Sequence, residues 1–318
     1  MRVVVAGMGI QGNKRLAIAG QEAVATVDPV RGGAFRDGLG HHRDVREIPL
    51  DRYDAVLACT PDEAKIELLS YLLGHGKHVL VEKPLFAGDN ADLERLRALA
   101  RANNVVCYTA YNHRFEPHFV RMKRVIESGV LGTVYSVRMF YGNGTARLVR
   151  ESVWRDQGSG VLPDLGSHLL DTILFWFGQP DAPFRVFSAN RFENRAFDHM
   201  AFGAQGHPVL QMELSLLSWR NHFYCDVQAE KGSAHISSLC KWGPSSFVLR
   251  DRKLPSGRPD EEEVTLVQPD PTWRLEYDHF KGLCADPAAH DFGNTANDIW
   301  INTTLNQLAG EALAGANQ

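Results

Sequence analysis

Val3-Val4-Val5-Ala6-Gly7-Met8-Gly9-Ile10-Gln11-Gly12 is the stretch that decides the fold. Its apolar run reads as a buried strand that enters a tight turn and then a helix over residues 13–19. In that context each glycine has its own task. Gly7 turns the chain sharply, Gly9 lets the backbone approach a pyrophosphate, and Gly12 lets the helix lie against the strand. The helix N-terminus, with its unpaired amides and positive dipole end, then faces the phosphates. A second strand over 23–27 ends at Asp28, whose carboxylate would accept hydrogen bonds from both ribose hydroxyls of an adenosine and repel a 2′-phosphate. The expected cofactor is NAD, with NADP less favoured. The competing readings are an ordinary turn at Asp28-Pro29 and a phosphate contact from Arg31.

Beyond the turn, apolar strands and amphipathic stretches alternate through the first third of the chain: 45–48, 55–58 running into Cys59-Thr60-Pro61, a helix over 62–73, a strand over 78–82, a helix over 89–103 and a strand over 105–110. Such alternation predicts an α/β, doubly wound (Rossmann) parallel sheet. Glu82-Lys83-Pro84 follows the run His78 to Val81 and so puts a lysine at the carboxyl end of a strand, where ligands bind in an open sheet. A helix is predicted over 116–128, and the domain boundary is placed near its start. Residues 1–116 would form the dinucleotide-binding domain, and 117–318 an α+β domain for substrate binding and oligomerisation. In that second part Tyr135, Val137, Met139 and Tyr141 alternate with polar residues, as do Leu210, Met212, Leu214 and Leu216. Further strands are expected at 185–190, 223–229, 234–238, 247–250 and 264–267, close enough in sequence to imply a largely antiparallel sheet. Helices are expected at 165–177, 273–285 and 295–314.

The chain has 318 residues, 44% of them apolar, and a formal net charge of −4. That length accommodates two domains of ordinary size. No basic field favours nucleic acid, and no apolar stretch is long and uncharged enough to span a membrane. A small-molecule partner is expected. The first strand begins at Arg2, which leaves no room for a signal peptide before the fold, and the five cysteines are odd in number with no C-x-x-C pair. Reduced cytoplasm fits that usage. His41-His42 and His113 lack a metal-ligand pattern, so no metal site is expected.

Asp164-Leu165-Gly166-Ser167-His168 places an acid at the cap of the helix 165–177 and a histidine one turn on, on the same side. In isolation that pair would read as a helix cap and a satisfied buried histidine. Taken with the glycine turn, Thr60-Pro61, Gly76-Lys77-His78-Val79-Leu80-Val81-Glu82-Lys83-Pro84-Leu85 and Tyr111-Asn112-His113-Arg114-Phe115, it makes the chain resemble the Gfo/Idh/MocA oxidoreductases over nearly its whole length. The resemblance implies that Lys83 binds the reacting hydroxyl, His168 accepts the proton and Asp164 supports substrate or histidine. It also implies that Gly7, Gly9, Ile10, Gln11, Gly12, Asp28, Thr60, Pro61, Glu82 and Lys83 contact the cofactor. Two departures stand out. Lys65 occupies a position where the family often carries a histidine, and Gly158-Ser159-Gly160 replaces a glycine triplet.

The chemistry follows from the residue types as well. Removing a hydride from a carbinol carbon builds charge on oxygen, which an ammonium at Lys83 would stabilise. An imidazole at His168 is suited to take the proton near neutral pH. Neutral Lys83 as the base is the rival assignment. The long segment 142–155 is expected to cover the site. Arg147, Arg150 and Arg155 are either carboxylate or phosphate ligands or solvated surface charges, and Tyr111, Asn112, Arg114 and Trp154 are candidate walls for a polar ring. The function expected is NAD(P)-dependent hydride transfer between nicotinamide and a secondary alcohol or ketone of a sugar, a nucleotide sugar being the case the arginines favour. The alternatives are a glycosidase that uses transient oxidation and elimination, or a non-catalytic dinucleotide sensor. A homodimer or homotetramer is expected from the resemblance.

Overall fold

The protein is represented by a computed structural model in which residues 1–30, 39–152 and 155–315 are described; Arg31 and Trp154 lie outside them. The chain divides into two compact units, Met1–Asn112 with Thr272–Thr303, and His113–Pro271 with Thr304–Gln318. The sequence led us to expect a single boundary at 116/117. The chain instead returns to the first unit at 272, and it does so through apolar side chains of a helix that complete that unit's core.

In the first unit, strands β1 (Val3–Ala6), β2 (Ala23–Val27), β3 (Gly40–His42), β4 (Ala55–Ala58), β5 (His78–Glu82) and β6 (Cys107–Ala110) form one sheet in the order β3-β2-β1-β4-β5-β6. Every neighbouring pair is parallel. Helices α1 (Ile10–Ala19), α2 (Asp62–Gly74) and α3 (Ala91–Ala102) make crossovers. Because successive strand residues point to opposite faces, the continuous apolar strands feed two cores. Val4, Val56, Val79 and Val81 meet Leu69 and Leu72 of α2 and Leu93 and Leu96 of α3. Val3, Val5, Leu57 and Leu80 meet Tyr277, Phe280 and Leu283 of the returning helix Thr272–Ala285. Strand order reverses between β1 and β4, which opens a ligand crevice beyond their carboxyl ends. Residues 45–48, which read as a strand, instead contain the short 3-10 turn Val45–Glu47, capped by Asp44, whose side chain accepts from Arg46 N at 2.8 Å. The edge strand is the shorter β3.

One buried polar group ties this unit together. Arg15 of α1 is 1% exposed; its Nε donates to Glu82 Oε1 at 2.7 Å and its second terminal nitrogen donates to Glu276 Oε2 at 2.7 Å. Its guanidinium carbon lies 4.3 Å from the centre of the Trp273 ring. Burial opposes the charge, but Glu276 and Glu82 outweigh it and hold the arginine protonated. Glu276 is itself 0% exposed, so losing the Arg15 guanidinium takes the ion pair from a carboxylate that has no solvent to replace it. Arg15→Met should therefore destabilise the protein by about 3–5 kcal/mol. Guanidinium unfolding of both proteins tests this, and a loss below about 1 kcal/mol would show that the triad is not structurally important.

In the second unit, β7 (Val134–Gly142), β8 (Phe184–Asn190), β9 (His199–Ala204), β10 (Val209–Ser215), β11 (His222–Ala229), β12 (Gly232–Ser237), β13 (Ser245–Lys253) and β14 (Gly257–Leu266) form an eight-stranded sheet in the order β14-β13-β12-β11-β7-β10-β9-β8. It is antiparallel except where β10 lies parallel to β7. Helices α4 (Pro117–Glu127) and α6 (Ser167–Phe177) pack with the sheet through aromatic side chains: Phe119 lies 5.3 Å from Trp176 and 5.0 Å from Phe223, ring centre to ring centre. The short helix α5 (Ala146–Arg150) lies in the long segment 142–155 expected to cover the site. Strand β9 was not anticipated. Ala201, Gly203 and Ala204 lack the branched side chains that mark strands in a sequence, and a Cβ on Gly203 would lie 2.0 Å from the Leu210 carbonyl oxygen of the neighbouring strand.

Candidate functional site

The cofactor end of the first unit is built from backbone. Gly7 has φ of +88°, and a Cβ there would sit 2.5 Å from the carbonyl oxygen of Cys59, just before Thr60-Pro61. A Cβ on Gly12 would sit 1.8 Å from the Gly7 carbonyl oxygen, so α1 can begin against the turn only with glycine here. Gly9 differs: nothing lies within 4 Å of its Cβ position. That open ground borders the α1 N-terminus, which has no side-chain cap, and Ile10 and Gln11 are exposed there. Asp28 Oδ2 accepts from Met8 N at 2.7 Å and Oδ1 from Val30 N at 2.9 Å. The carboxylate thus joins the glycine turn to the end of β2. A tight turn, an open glycine, uncapped helix amides and an acid at the second strand's end are the parts a dinucleotide needs, and these residues fit one.

Lys83 leaves β5 on the carboxyl edge shared with that turn. The carboxylate of Glu82, expected to contact cofactor, is engaged by Arg15. Tyr111 is buried, and Asn112 donates from Nδ2 to Thr272 Oγ1 at 2.9 Å. Lys65, visible in the sequence only as a departure from a family habit, proves to brace the Glu-Lys-Pro turn. It is 3% exposed, and its Nζ donates to Glu82 O at 2.7 Å, Pro84 O at 2.8 Å and Asp62 Oδ1 at 2.6 Å. These acceptors flank Lys83 on both sides, so one ammonium holds both ends of the turn. Lys65→Met would strand the two carbonyls and should cost about 1–3 kcal/mol. The shift of the urea midpoint measures it, and an unchanged midpoint would remove Lys65 as the brace.

The second unit gathers its own cluster. Leu162–Gly166 is one π-helical turn that runs into α6, so Asp164 lies inside continuous helix rather than at its cap. Gly166, which closes this turn, has little room for a side chain: a Cβ there would sit 3.1 and 3.2 Å from Leu162 and Leu214 side-chain carbons. Asp164 Oδ2 lies 3.5 Å from the Arg155 guanidinium. His168, buried, has its ring 4.0 Å from that of His113 at 17°, a parallel stack. The Tyr141 ring lies 5.4 Å from His113 and 5.9 Å from His168. Lys241, in the turn Cys240–Trp242, points Nζ to Tyr141 Oη at 3.4 Å and His113 Nε2 at 3.5 Å.

Two buried carboxylates hold these groups in place. Asp171 of α6 accepts from Arg114 Nε and its neighbouring terminal nitrogen at 2.7–3.1 Å, which fixes the turn carrying His113 to the helix carrying His168. Burial pushes the Asp171 carboxyl up, and Arg114 pulls it back. Arg114 was expected to be a wall of the substrate site; its guanidinium is instead spent on Asp171. Glu116, just ahead of α4, accepts from Cys240 N at 2.8 Å and Cys240 Sγ at 2.9 Å. Burial pushes both the Glu116 carboxyl and the Cys240 thiol up, so the thiol is the donor in that bond. Arg147 lies apart, with its side chain 89% exposed and 3.8 Å from Glu193. Arg150 is exposed on α5. Among the described residues no group of three or more His, Cys, Asp or Glu side chains is arranged to hold a metal ion, and no helix is long and apolar enough to cross a membrane.

Lys241, His113, Glu116 and Asp171 are the cluster members that sequence reasoning did not assign. Their common feature is that each partner is far away in sequence: the Glu116–Cys240 bonds span 124 residues and Arg114–Asp171 spans 57. No local spacing marks such pairs.

A six-stranded dinucleotide fold followed by an α+β unit with an imidazole cluster defines a two-domain nicotinamide-dependent class of protein, and the comparisons agree. Residues 1–111 match the family described as "Oxidoreductase family, NAD-binding Rossmann fold", and 119–235 match the "GFO/IDH/MocA C-terminal domain". The chain is 30% identical over 268 residues to scyllo-inositol 2-dehydrogenase (NADP(+)) IolU of Bacillus subtilis, covering 79% of this chain and 76% of that protein. It therefore belongs to the Gfo/Idh/MocA oxidoreductase family. It is also 33% identical over 198 residues to the uncharacterized oxidoreductase YhhX of Escherichia coli, covering 62% of this chain and 50% of YhhX. Several curated relatives it matches are covered over 34–50% of their length. Among solved structures, levoglucosan dehydrogenase in complex with NADH has the same fold, with a TM-score of 0.83, 18% identity and coverage of 99% of this chain and 97% of that one.

Proposed function

We propose that this protein is an NAD-dependent dehydrogenase that interconverts a secondary alcohol and a ketone on a neutral polyol or sugar. The observation that carries this reading is the shared carboxyl edge of β2, β1, β4 and β5, where Asp28, the open glycine turn and Lys83 lie along one edge of the first unit's sheet. IolU and levoglucosan dehydrogenase, by their names, act on an inositol and on an anhydrosugar. When bound, the nicotinamide supplies the hydride acceptor or donor. Lys83 donates to the substrate oxygen and stabilises the charge that grows there. His168 takes the hydroxyl proton in the oxidation direction and returns it in reduction. Asp164 supports the substrate-binding face of the second unit. Of the three arginines that favoured an anionic sugar, Arg155 is paired with Asp164 and Arg147 and Arg150 are exposed at the surface, which supports a neutral substrate instead.

NAD is favoured over NADP because an Asp28 carboxylate, already ordered by Met8 N and Val30 N, faces the added charge of a 2′-phosphate. Asp28→Asn keeps an acceptor oxygen and removes the charge. Calorimetric titration should show NAD bound more tightly by the unmodified protein, and the Asn variant should narrow the difference roughly tenfold, the scale of one screened charge pair of about 1–2 kcal/mol. Equal or tighter NADP binding by the unmodified protein would reverse the assignment.

The dehydrogenase reading itself is tested by incubating the protein with NAD and a panel of inositols, free sugars, sugar acids and nucleotide sugars while following nicotinamide reduction. On the substrate found, Lys83→Ala should lower single-turnover oxidation roughly a hundredfold or more while NAD affinity stays near normal. His168→Asn should lower the rate at every pH and abolish the fall in rate toward acid. If the Asn variant keeps the original pH profile, the proton acceptor is Lys83. Release of a cleaved aglycone without net nicotinamide reduction would replace the dehydrogenase with an eliminating glycosidase.

A further inference from the structure

Lys241 is a cation that the proposed chemistry does not use, and the fold goes to some length to place it. The turn Cys240–Trp242 is anchored from below by Glu116, whose buried carboxylate accepts both the Cys240 amide at 2.8 Å and the Cys240 thiol at 2.9 Å. Above that anchor Lys241 is exposed, yet its surroundings are crowded. Nζ lies 3.4 Å from Tyr141 Oη, 3.5 Å from His113 Nε2, 4.8 Å from the Trp242 ring centre and 5.8 Å from that of Tyr141. His113 is the ring stacked on His168. An ammonium has three N–H donors and is strongly hydrated; two long contacts leave it with capacity for a short, well-aligned bond.

The electrostatics favour a neutral partner for that bond. Carboxylates flank the turn that carries it: Glu116 accepts from Cys240 N and Sγ, and Asp270 Oδ1 lies 3.9 Å from Cys240 Sγ, so the ammonium stands beside acidic groups rather than in a basic patch, and they raise its affinity for its proton against the desolvation that lowers it. An incoming phosphate or carboxylate would meet those acids. A hydroxyl oxygen meets only the donor. The half-exposed Trp242 ring beside the ammonium supplies an apolar wall against which the C–H face of a polyol ring packs, the usual division of labour in a site lined mainly by apolar surface with a few fixed polar groups.

We propose that Lys241 is a substrate-recognition residue whose ammonium donates to a ring hydroxyl of a neutral polyol beside His168, with Trp242 forming the apolar wall. This rests on the dehydrogenase reading above and adds to it a residue and a charge class. Lys241 holds no proton in flight; it selects and orients.

The test uses the protein loaded with NADH and titrates it calorimetrically with myo-inositol, scyllo-inositol, glucose, a sugar acid and a nucleotide sugar. The unmodified complex is expected to bind a neutral polyol, and Lys241→Met should weaken that binding roughly tenfold to a hundredfold, the effect of losing one charged donor. Lys241→Arg should recover part of the loss, and Lys241→Gln, which keeps a neutral donor, should fall between; either serves if the Met variant does not fold. NADH affinity should be the same in all of them. Steady-state assays should show the loss in KM with little change in kcat. Polyol binding by Lys241→Met as tight as by the unmodified protein overturns this proposal and leaves the dehydrogenase reading standing. Tighter binding of the acid or nucleotide sugar than of any polyol, lost in Lys241→Met, overturns the neutral class. Failure of the unmodified NADH complex to bind any polyol overturns both readings together.

Discussion

A guanidinium with no access to water is the constraint on which the first unit depends. Arg15 can remain charged at 1% exposure only because Glu82 and Glu276 each meet it at 2.7 Å. Those two carboxylates come from different places: one from the end of β5, immediately ahead of Lys83, the other from the helix Thr272–Ala285 that the chain supplies after completing most of the second unit. Arg15 itself is on the helix that the glycine turn begins. Glycine turn, Glu-Lys-Pro element and returning helix are therefore linked through one group, and a buried ion triad tolerates little displacement because its energy falls off steeply as its hydrogen bonds lengthen. Lys65 repeats the device on a smaller scale by satisfying two backbone carbonyls that bracket Lys83.

The second unit uses buried carboxylates to the same end. Asp171 secures the His113 turn to α6 through Arg114, and Glu116 secures the Lys241 turn through Cys240. What these bonds present is a stacked pair of imidazoles with a tyrosine hydroxyl and an ammonium beside them. Preorganisation of this kind costs stability, since every buried charge must be repaid with a partner, and it yields donors and acceptors whose positions are set before a ligand arrives. The arginines take part as structural counter-ions. Arg114 is engaged by Asp171 and Arg155 by Asp164.

The glycine turn, the parallel alternation, Asp28 and the Glu-Lys-Pro element were legible in the sequence because each is a local relation: a period of two in a strand, a glycine where only a missing Cβ fits, a lysine just past an apolar run. The Asp164–His168 spacing was legible for the same reason, although the π-helical form of the turn that carries Asp164 was not. Strand β9 escaped because its identity comes from neighbours rather than from its own small residues. The tertiary structure alone decided which charges are occupied. Arg114, Arg147 and Arg155 look alike in sequence, yet one is paired with the buried Asp171, one is 89% exposed and one pairs with Asp164. Lys65 and Lys241 were equally plain lysines until partners tens to more than a hundred residues away surrounded them. A sequence determines what a residue can donate or accept and how its near neighbours are spaced; which donor meets which acceptor, and how much water is left between them, is settled by contacts that only the folded chain brings together.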